Sequence, residues 1–397
     1  MASHIKNIRT SQLSFFHLFI RFLKFGFLAW GGPIAQIDMI RKEIVEDQNW
    51  ISKKHFNRVL GIYQILPGPE ATELCVYFGY LKRGRLGGFV SGLGFFLPGF
   101  LLMLVLSWFY VSYGVNSKLA LGLFYGGQAA VAALIVRGLH RIGTKALFNH
   151  ELLFLASLGA IFYFLSVDFI GILVLSGLLY LYLQRKLTLL WFTLFVILIG
   201  AMGIGFTVLF DNLSSVFSSG STPSMLAFFV SGLKTGLLTF GGAYTAIPFL
   251  QHDAISVAGY ITNQQFLDGL VLSGLIPAPL IIFGTFVGYI GGGLYGAMLL
   301  TAGIFLPAFS FTLLFHNYLE KLIQRVTIRT FLDGVTAGVI GMIVGTSFEL
   351  LPGAISDFVQ LFIFVVALVC LYRFQSKSTI LLVMFGSCAA GLFLFQM

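Results

Sequence analysis

Acidic residues are scarce in this chain of 397 residues, with 15 Asp and Glu against 24 Lys and Arg, and only 10% of positions are charged. A soluble domain needs a far more charged surface, so that class is excluded. The cysteines Cys75, Cys370 and Cys388 have no CxxC or CxxH spacing, so neither a disulfide framework nor a zinc site is expected. No HExxH, GxSxG, Walker loop or dinucleotide fingerprint occurs. An enzyme is therefore not expected, no cofactor is called for, and no ATP site would drive transport. Alternating strands of about ten residues are also missing, which argues against a membrane barrel. The net charge of +9 lies at the ends of apolar segments and not along one face, so it reads as membrane orientation without a nucleic-acid partner. The opening MASHIKNIRTSQ lacks a small-residue cleavage site after a short apolar core, and no removable signal is expected.

What the chain has in abundance is apolar sequence: 58% of residues are hydrophobic, and the mean hydropathy is +0.94. Apolar runs of about 20 residues recur, the length that crosses a hydrocarbon core. The fold class is thus an all-α polytopic membrane protein, and its 46 glycines suit close helix packing and broken helices. After a cytoplasmic leader at 1–12, short segments surround Gly31-Gly32-Pro33 and Pro67-Gly68-Pro69. Longer spans are predicted at 88–112, 118–137, 150–166, 168–184 and 188–207. The polar linker 211–224 follows, then short segments at 225–240, 243–258, 262–275 and 279–291. The last spans are expected near 293–316, 330–350, 354–373 and 377–396.

The second half restarts the first. At an offset of 210 residues, Leu23, Lys24, Gly26, Leu28, Gly31 and Gly32 meet Leu233, Lys234, Gly236, Leu238, Gly241 and Gly242, and Pro67 and Pro69 meet Pro277 and Pro279. At 209 residues, Gly79, Tyr80 and Gly84 meet Gly288, Tyr289 and Gly293, and Phe96 to Pro98 meet Phe305 to Pro307. The first repeat is placed at 13–145, additional helices linking the repeats at 146–210, the second repeat at 225–352 and C-terminal helices at 353–397. The basic cluster Lys82, Arg83 and Arg85 has the uncharged counterpart GGGL at 291–294. With a cytoplasmic N-terminus, this asymmetry predicts repeats of inverted topology. Placing Arg41 to Arg58 in the cytoplasm favours re-entrant hairpins over full crossings for the short segments.

Two broken hairpins per repeat, in opposed copies, would meet near the membrane midplane. A helix restarts after each break, and its free N–H groups suit an oxyanion. Gly31, Gly32, Pro33, Pro67, Gly68, Pro69, Gly241, Gly242, Pro277 and Pro279 are the candidate backbone cradle, with Gln36 and Tyr244 as side-chain donors. Lys24 and Lys234, seven residues before each double glycine, are candidates for balancing a dianion. Glu70 and Glu73 share a helical face just after the break and are candidates for carrying a coupling proton. For any single break, glycine and proline merely kinking a packed helix is the competing explanation. For the lysines it is snorkelling to the interface, and for the glutamates, stabilisation of a helix N-terminus.

The stretch from Phe25 to Phe56, containing WGGPIAQIDMIRKEIVEDQNW, resembles a signature of the chromate ion transporters, as does LPGPEATELCVYFGYLKRGRLGGFVSGLGFFLPGF from Leu66 to Phe100. FGGAYTAIPFL at 240–250 and IFLPAF at 304–309 are similar to the second-half counterparts. The resemblance implies a two-domain bacterial inner-membrane protein that exports chromate by gradient-driven exchange, with sulfate as a related dianion. A coupling proton or counter-anion would be its partner, and a homodimer is an open expectation. Transport of sulfate or an organic acid, or an anion channel on the same scaffold, are the rival readings. Two residues depart from the family pattern: Ala243 replaces a glycine, and Ala278 replaces the glycine of a second PGP. Their methyl groups are expected to make the second copy poorer at holding an anion.

Overall fold

The computed structural model describes residues 13–30, 32–64, 66–114, 117–165, 167–184, 224–240, 242–314, 325–374 and 378–395. The leader, Gly31, Gly241, the expected span at 188–207 and linker residues 211–223 lie outside them. Every regular element among the described residues is helical. The first half comprises α1 (Phe15–Phe27), α2 (Gly32–Ile40) running into a π-helical turn (Arg41–Asp47), α3 (Lys53–Tyr63), α4 (Glu70–Tyr113), α5 (Lys118–Ala146), α6 (His150–Phe164) and α7 (Phe169–Leu183). The second comprises α8 (Met225–Leu238), α9 (Ala246–Gln251) between a 3-10 turn (Ala243–Thr245) and a π-helical turn (His252–Val257), and α10 (Asn263–Leu275). It continues with a 3-10 turn (Leu280–Ile282), α11 (Phe283–Leu314), α12 (Val326–Ala354), α13 (Phe358–Arg373) and α14 (Thr379–Leu394). Among the described residues, α4, α5, α11 with its preceding turn, and α12 are long and apolar enough to cross a membrane.

Local chemistry repeats along with the helices. Ser14 and Ser224 cap α1 and α8, accepting from the amides of His17 and Ala227 at 3.2 Å each. Ser52 and Thr262 do the same for α3 and α10. The two π-helical turns close alike, with Gln48 N–H on the Glu43 carbonyl and Ala258 N–H on the Asp253 carbonyl. Each then reverses through a left-handed residue, Asn49 at φ 52° and Gly259 at φ 61°. The order of helices continues past residue 145, with α6 and α7 following α5 as α13 and α14 follow α12.

Within each copy the chain folds back at the breaks. Arg21 donates to Gln48 and Lys24 pairs with Glu43, so the turn that ends α2 lies back along α1. His55 and Phe56 on α3 meet Tyr77 and Phe78 on α4, a return through Pro67-Gly68-Pro69. The long helix α4 is itself two arms. Arg83 and Gly84 leave helical geometry (φ/ψ −136°/20° and 64°/−155°), and Gly292 and Gly293 do the same in α11 (−145°/21° and 58°/−148°). Beyond each turn the second arm doubles back, Gly79 against Gly87 and Gly288 against Gly296. Glycine is required at these contacts because a β-carbon would run into the facing backbone.

The copies pack on each other through their second arms. Phe96 stacks on its own counterpart Phe305, with ring centroids 4.6 Å apart and 13° between planes. Gly92 faces Phe309 and Gly88 faces Leu313, so the arms run antiparallel around an approximate two-fold axis near Phe96 and Phe305. The outer helices cross over: α12 packs on α6 and α7, and α5 packs on α13 and α14. The expected end of the fifth helix at 137 is passed, and α5 reaches Ala146. Gly138 and Ile142 remain buried there, so packing keeps the helix going despite the basic residues between them.

Candidate functional site

The breaks converge. In the first copy they fall at Leu28 to Gly32, with Gly32 at φ 77°, and at Pro67 to Pro69, with Gly68 at φ 141°. In the second they fall at Thr239 to Gly242, with Gly242 at φ 124°, and at Pro277 to Pro279. Gly68 N–H donates to the Thr239 carbonyl at 2.8 Å. Gln36 Nε2 donates to the Ala29 carbonyl at 2.9 Å and to the Ala278 carbonyl at 3.2 Å. Ala29 and Thr239 are repeat counterparts, as are Gly68 and Ala278. The Gly68 bond therefore joins the proline tip of the first copy to the end of the first helix in the second, and Gln36 bridges the reciprocal pair, Ala29 and Ala278.

Small residues let the tips meet. A β-carbon on Gly68 would lie 3.0 Å from Glu73 Oε1 and 3.4 Å from the Ala308 methyl. In the mirrored contact the methyl belongs to the tip: Ala278 fills the space above Gly99, the counterpart of Ala308. The methyl of Ala278 is thus matched by a missing one across the interface. Gly242 has open space where a β-carbon would stand. Ala243 and Tyr244 beside it are buried, with the Tyr244 ring flat against Gly138 of α5; a β-carbon there would meet ring carbons at 3.0–3.1 Å.

Buried polar groups without protein partners occur in both copies, Thr235 and Tyr260 among those in the second, and those beside the tips belong to the first. Gln36 Oε1, Thr72 Oγ1 and both carboxyl oxygens of Glu73 are buried and accept or donate no hydrogen bond. Their counterparts Ala246, Ile282 and Phe283 are apolar and buried. Such groups are costly to hold in a packed interior without a function. Glu70, also buried, opens α4 and faces the charges of Arg141 and Lys145.

The two lysines take a different position. Lys24 Nζ lies 3.8 Å from Glu43, and Lys234 Nζ lies 2.7 Å from Asp253, so each is paired with the π-helical turn of its own copy. The expected site does not include Arg137 and Arg141 on α5, which lie at and beyond the expected span end at 137. It also leaves out Asp268 on α10, a buried carboxylate that accepts from Tyr110 (2.7 Å) and Gln128 (2.6 Å). The available signal was a four-residue spacing that puts both arginines on one face, and an acid within an otherwise apolar helix.

Both halves of the chain, residues 16–206 and 226–392, match the model of the chromate transporter family. The chain is 46% identical over 389 residues to a chromate transport protein of Pseudomonas aeruginosa, covering 96% of this chain and 93% of that one. It is 30% identical over 378 residues to a chromate transport protein of Cupriavidus metallidurans, covering 94% and 92%. A probable chromate transport protein of Synechococcus elongatus is 28% identical over 367 residues, covering 90% and 89%. No solved structure matches. Family matches over both halves, each carrying the breaks that meet at these tips, place this multi-pass membrane protein in the chromate transporter family.

Proposed function

We propose that the protein is a secondary transporter that exports chromate across a bacterial inner membrane by alternating access between repeats of inverted topology, with sulfate as a related ligand. The observation that carries this reading is the pair of cross-copy contacts at the tips, from Gly68 N–H to Thr239 and from Gln36 to Ala278. Donors suited to an oxyanion are satisfied by the opposite copy, as an occluded state requires. Moving one copy against the other would release them toward a ligand. Antiparallel packing of counterpart arms around Phe96 and Phe305 supports the inverted topology, and the returns through the proline tips support re-entrant hairpins. A tetrahedral dianion is favoured by the relatives, which are chromate transport proteins. Coupling belongs to the first copy, where Glu70 and Glu73 stand without counterparts of their own kind, and the N-terminus is cytoplasmic.

Purified protein in liposomes, assayed for chromate flux with and without imposed proton or sulfate gradients, tests the proposal. Uphill accumulation driven by one gradient is expected. Strictly downhill flux would identify a channel, and failure of chromate to compete for transport would remove chromate as substrate.

A further inference from the structure

We propose that Arg141 of α5 is the cation that receives the oxyanion, with Arg137 behind it, and that Glu70 is the intrinsic anion it faces when no ligand is bound. This inference rests on the transport reading above and adds the group that supplies its charge complementarity. Gly138 lies against the Tyr244 ring, which seats α5 directly behind the second-copy break. Arg141 is three residues further on and Arg137 one residue earlier, so α5 delivers both guanidiniums to that side. Arg141 interacts electrostatically with Glu70 and Tyr244, and Arg137 with Tyr244 and Arg141. Glu70 begins the helix that follows Pro67-Gly68-Pro69, while Tyr244 follows Gly242. Arg141 thus faces residues at the tips of both copies.

Neither arginine is committed elsewhere. Among the described residues, the guanidiniums of Arg137 and Arg141 make no hydrogen bond or close ion pair, whereas the ammonium groups of Lys24 and Lys234 are paired with carboxylates. A half-buried guanidinium without a bonded partner is a ready receptor for a tetrahedral oxyanion, because its planar fork holds two oxygens at once. Helices α5 and α12 correspond at an offset of 208 residues, so the counterparts of Arg137 and Arg141 are Gly345 and Glu349, and the second copy offers no equivalent cation at these positions. A dianion arriving at Arg141 enters the field of Glu70 and competes with it. Removal of the Glu70 charge therefore tightens binding, while removal of the Arg141 charge weakens it. Opposite signs from two neighbouring residues are not what loss of packing produces.

The test is calorimetric titration of detergent-purified full-length protein with chromate at one fixed pH, repeated with sulfate. Expected results are about tenfold weaker binding for Arg141→Gln, a smaller loss for Arg141→Lys, which keeps charge but not the fork, and about fivefold tighter binding for Glu70→Gln. Unchanged affinity in Arg141→Gln overturns the inference while leaving transport by the wild-type protein intact. Should Arg141→Gln fail to fold, Glu70→Gln decides: unchanged or weaker binding overturns the proposal. Wild-type protein that binds neither anion and moves neither across liposomes defeats the transport reading itself.

Discussion

Gly68 and Ala278 hold equivalent places under different constraints. At Gly68 the left-handed φ of 141° excludes a side chain, whatever space surrounds it. Gly68→Ala is expected to destabilise by at least about 1–2 kcal/mol and to weaken chromate transport. Ala278→Gly removes only a methyl over Gly99 and should cost less. The mirrored contact gives a sharper check. Gly99→Ala places two methyls in one space and should be severely destabilising, with partial recovery in the double variant with Ala278→Gly, read by thermal unfolding in detergent. Additive effects would sink the account of the tips as volume-matched pairs. Glu73 is the second residue that separates the copies. Its carboxyl makes no protein hydrogen bond, so Glu73→Gln should leave folding nearly unchanged. If Glu73 carries coupling charge, the variant loses gradient-driven accumulation yet keeps chromate–chromate counterflow. Equal loss of both activities would assign Glu73 to binding or packing.

At the scale of the element, the reversals inside α4 and α11 show how directly sequence can dictate a path. Lys82, Arg83 and Arg85 marked an end to the first arm, and a reversal falls there at Arg83-Gly84. Its counterpart GGGL carries no charge but keeps the left-handed glycine, Gly293 at φ 58°. Nothing lies within 4 Å of a β-carbon on Gly84 or Gly293, whereas one on Gly79 would strike Ser91 and the Gly87 carbonyl. Gly84→Ala and Gly293→Ala should each cost about 1–2 kcal/mol from backbone strain alone, and Gly79→Ala should cost more. A thermal-shift series that ranks Gly79→Ala mildest would refute this division. Breaks and reversals were legible because glycine and proline act through local backbone geometry. The contact between Gln36 and Ala278 was not, since it joins residues 242 apart and depends on how the copies dock. The end of α5 was hidden for a related reason: a basic cluster looks the same whether it ends a helix in water or continues along a packed one.

For the whole molecule, the duplication was readable from paired lysines, glycines and prolines. Helices α5 and α12 still align at an offset of 208 residues, Gly126 with Gly334, Ala129 with Ala337 and Ile135 with Ile343, while α6, α7, α13 and α14 keep the order of the helices. They bury apolar stripes against each other, and many apolar side chains serve there equally well. The densest sequence trace lies at the tips and reversals, where backbone geometry is special. Counterpart arms that run antiparallel about the approximate two-fold axis near Phe96 and Phe305 fit the proposed inverted topology, which puts the reversal at Arg83-Gly84 and the one at Gly292-Gly293 on opposite sides of a bilayer. Single cysteines replacing Arg85 and Leu294, in a background freed of Cys75, Cys370 and Cys388, should react with a membrane-impermeant maleimide from opposite sides. In right-side-out cells Leu294→Cys should label and Arg85→Cys should not, with the reverse in everted vesicles. Labelling of both from one side would rule out the inverted topology and, with it, alternating access by exchange of equivalent halves.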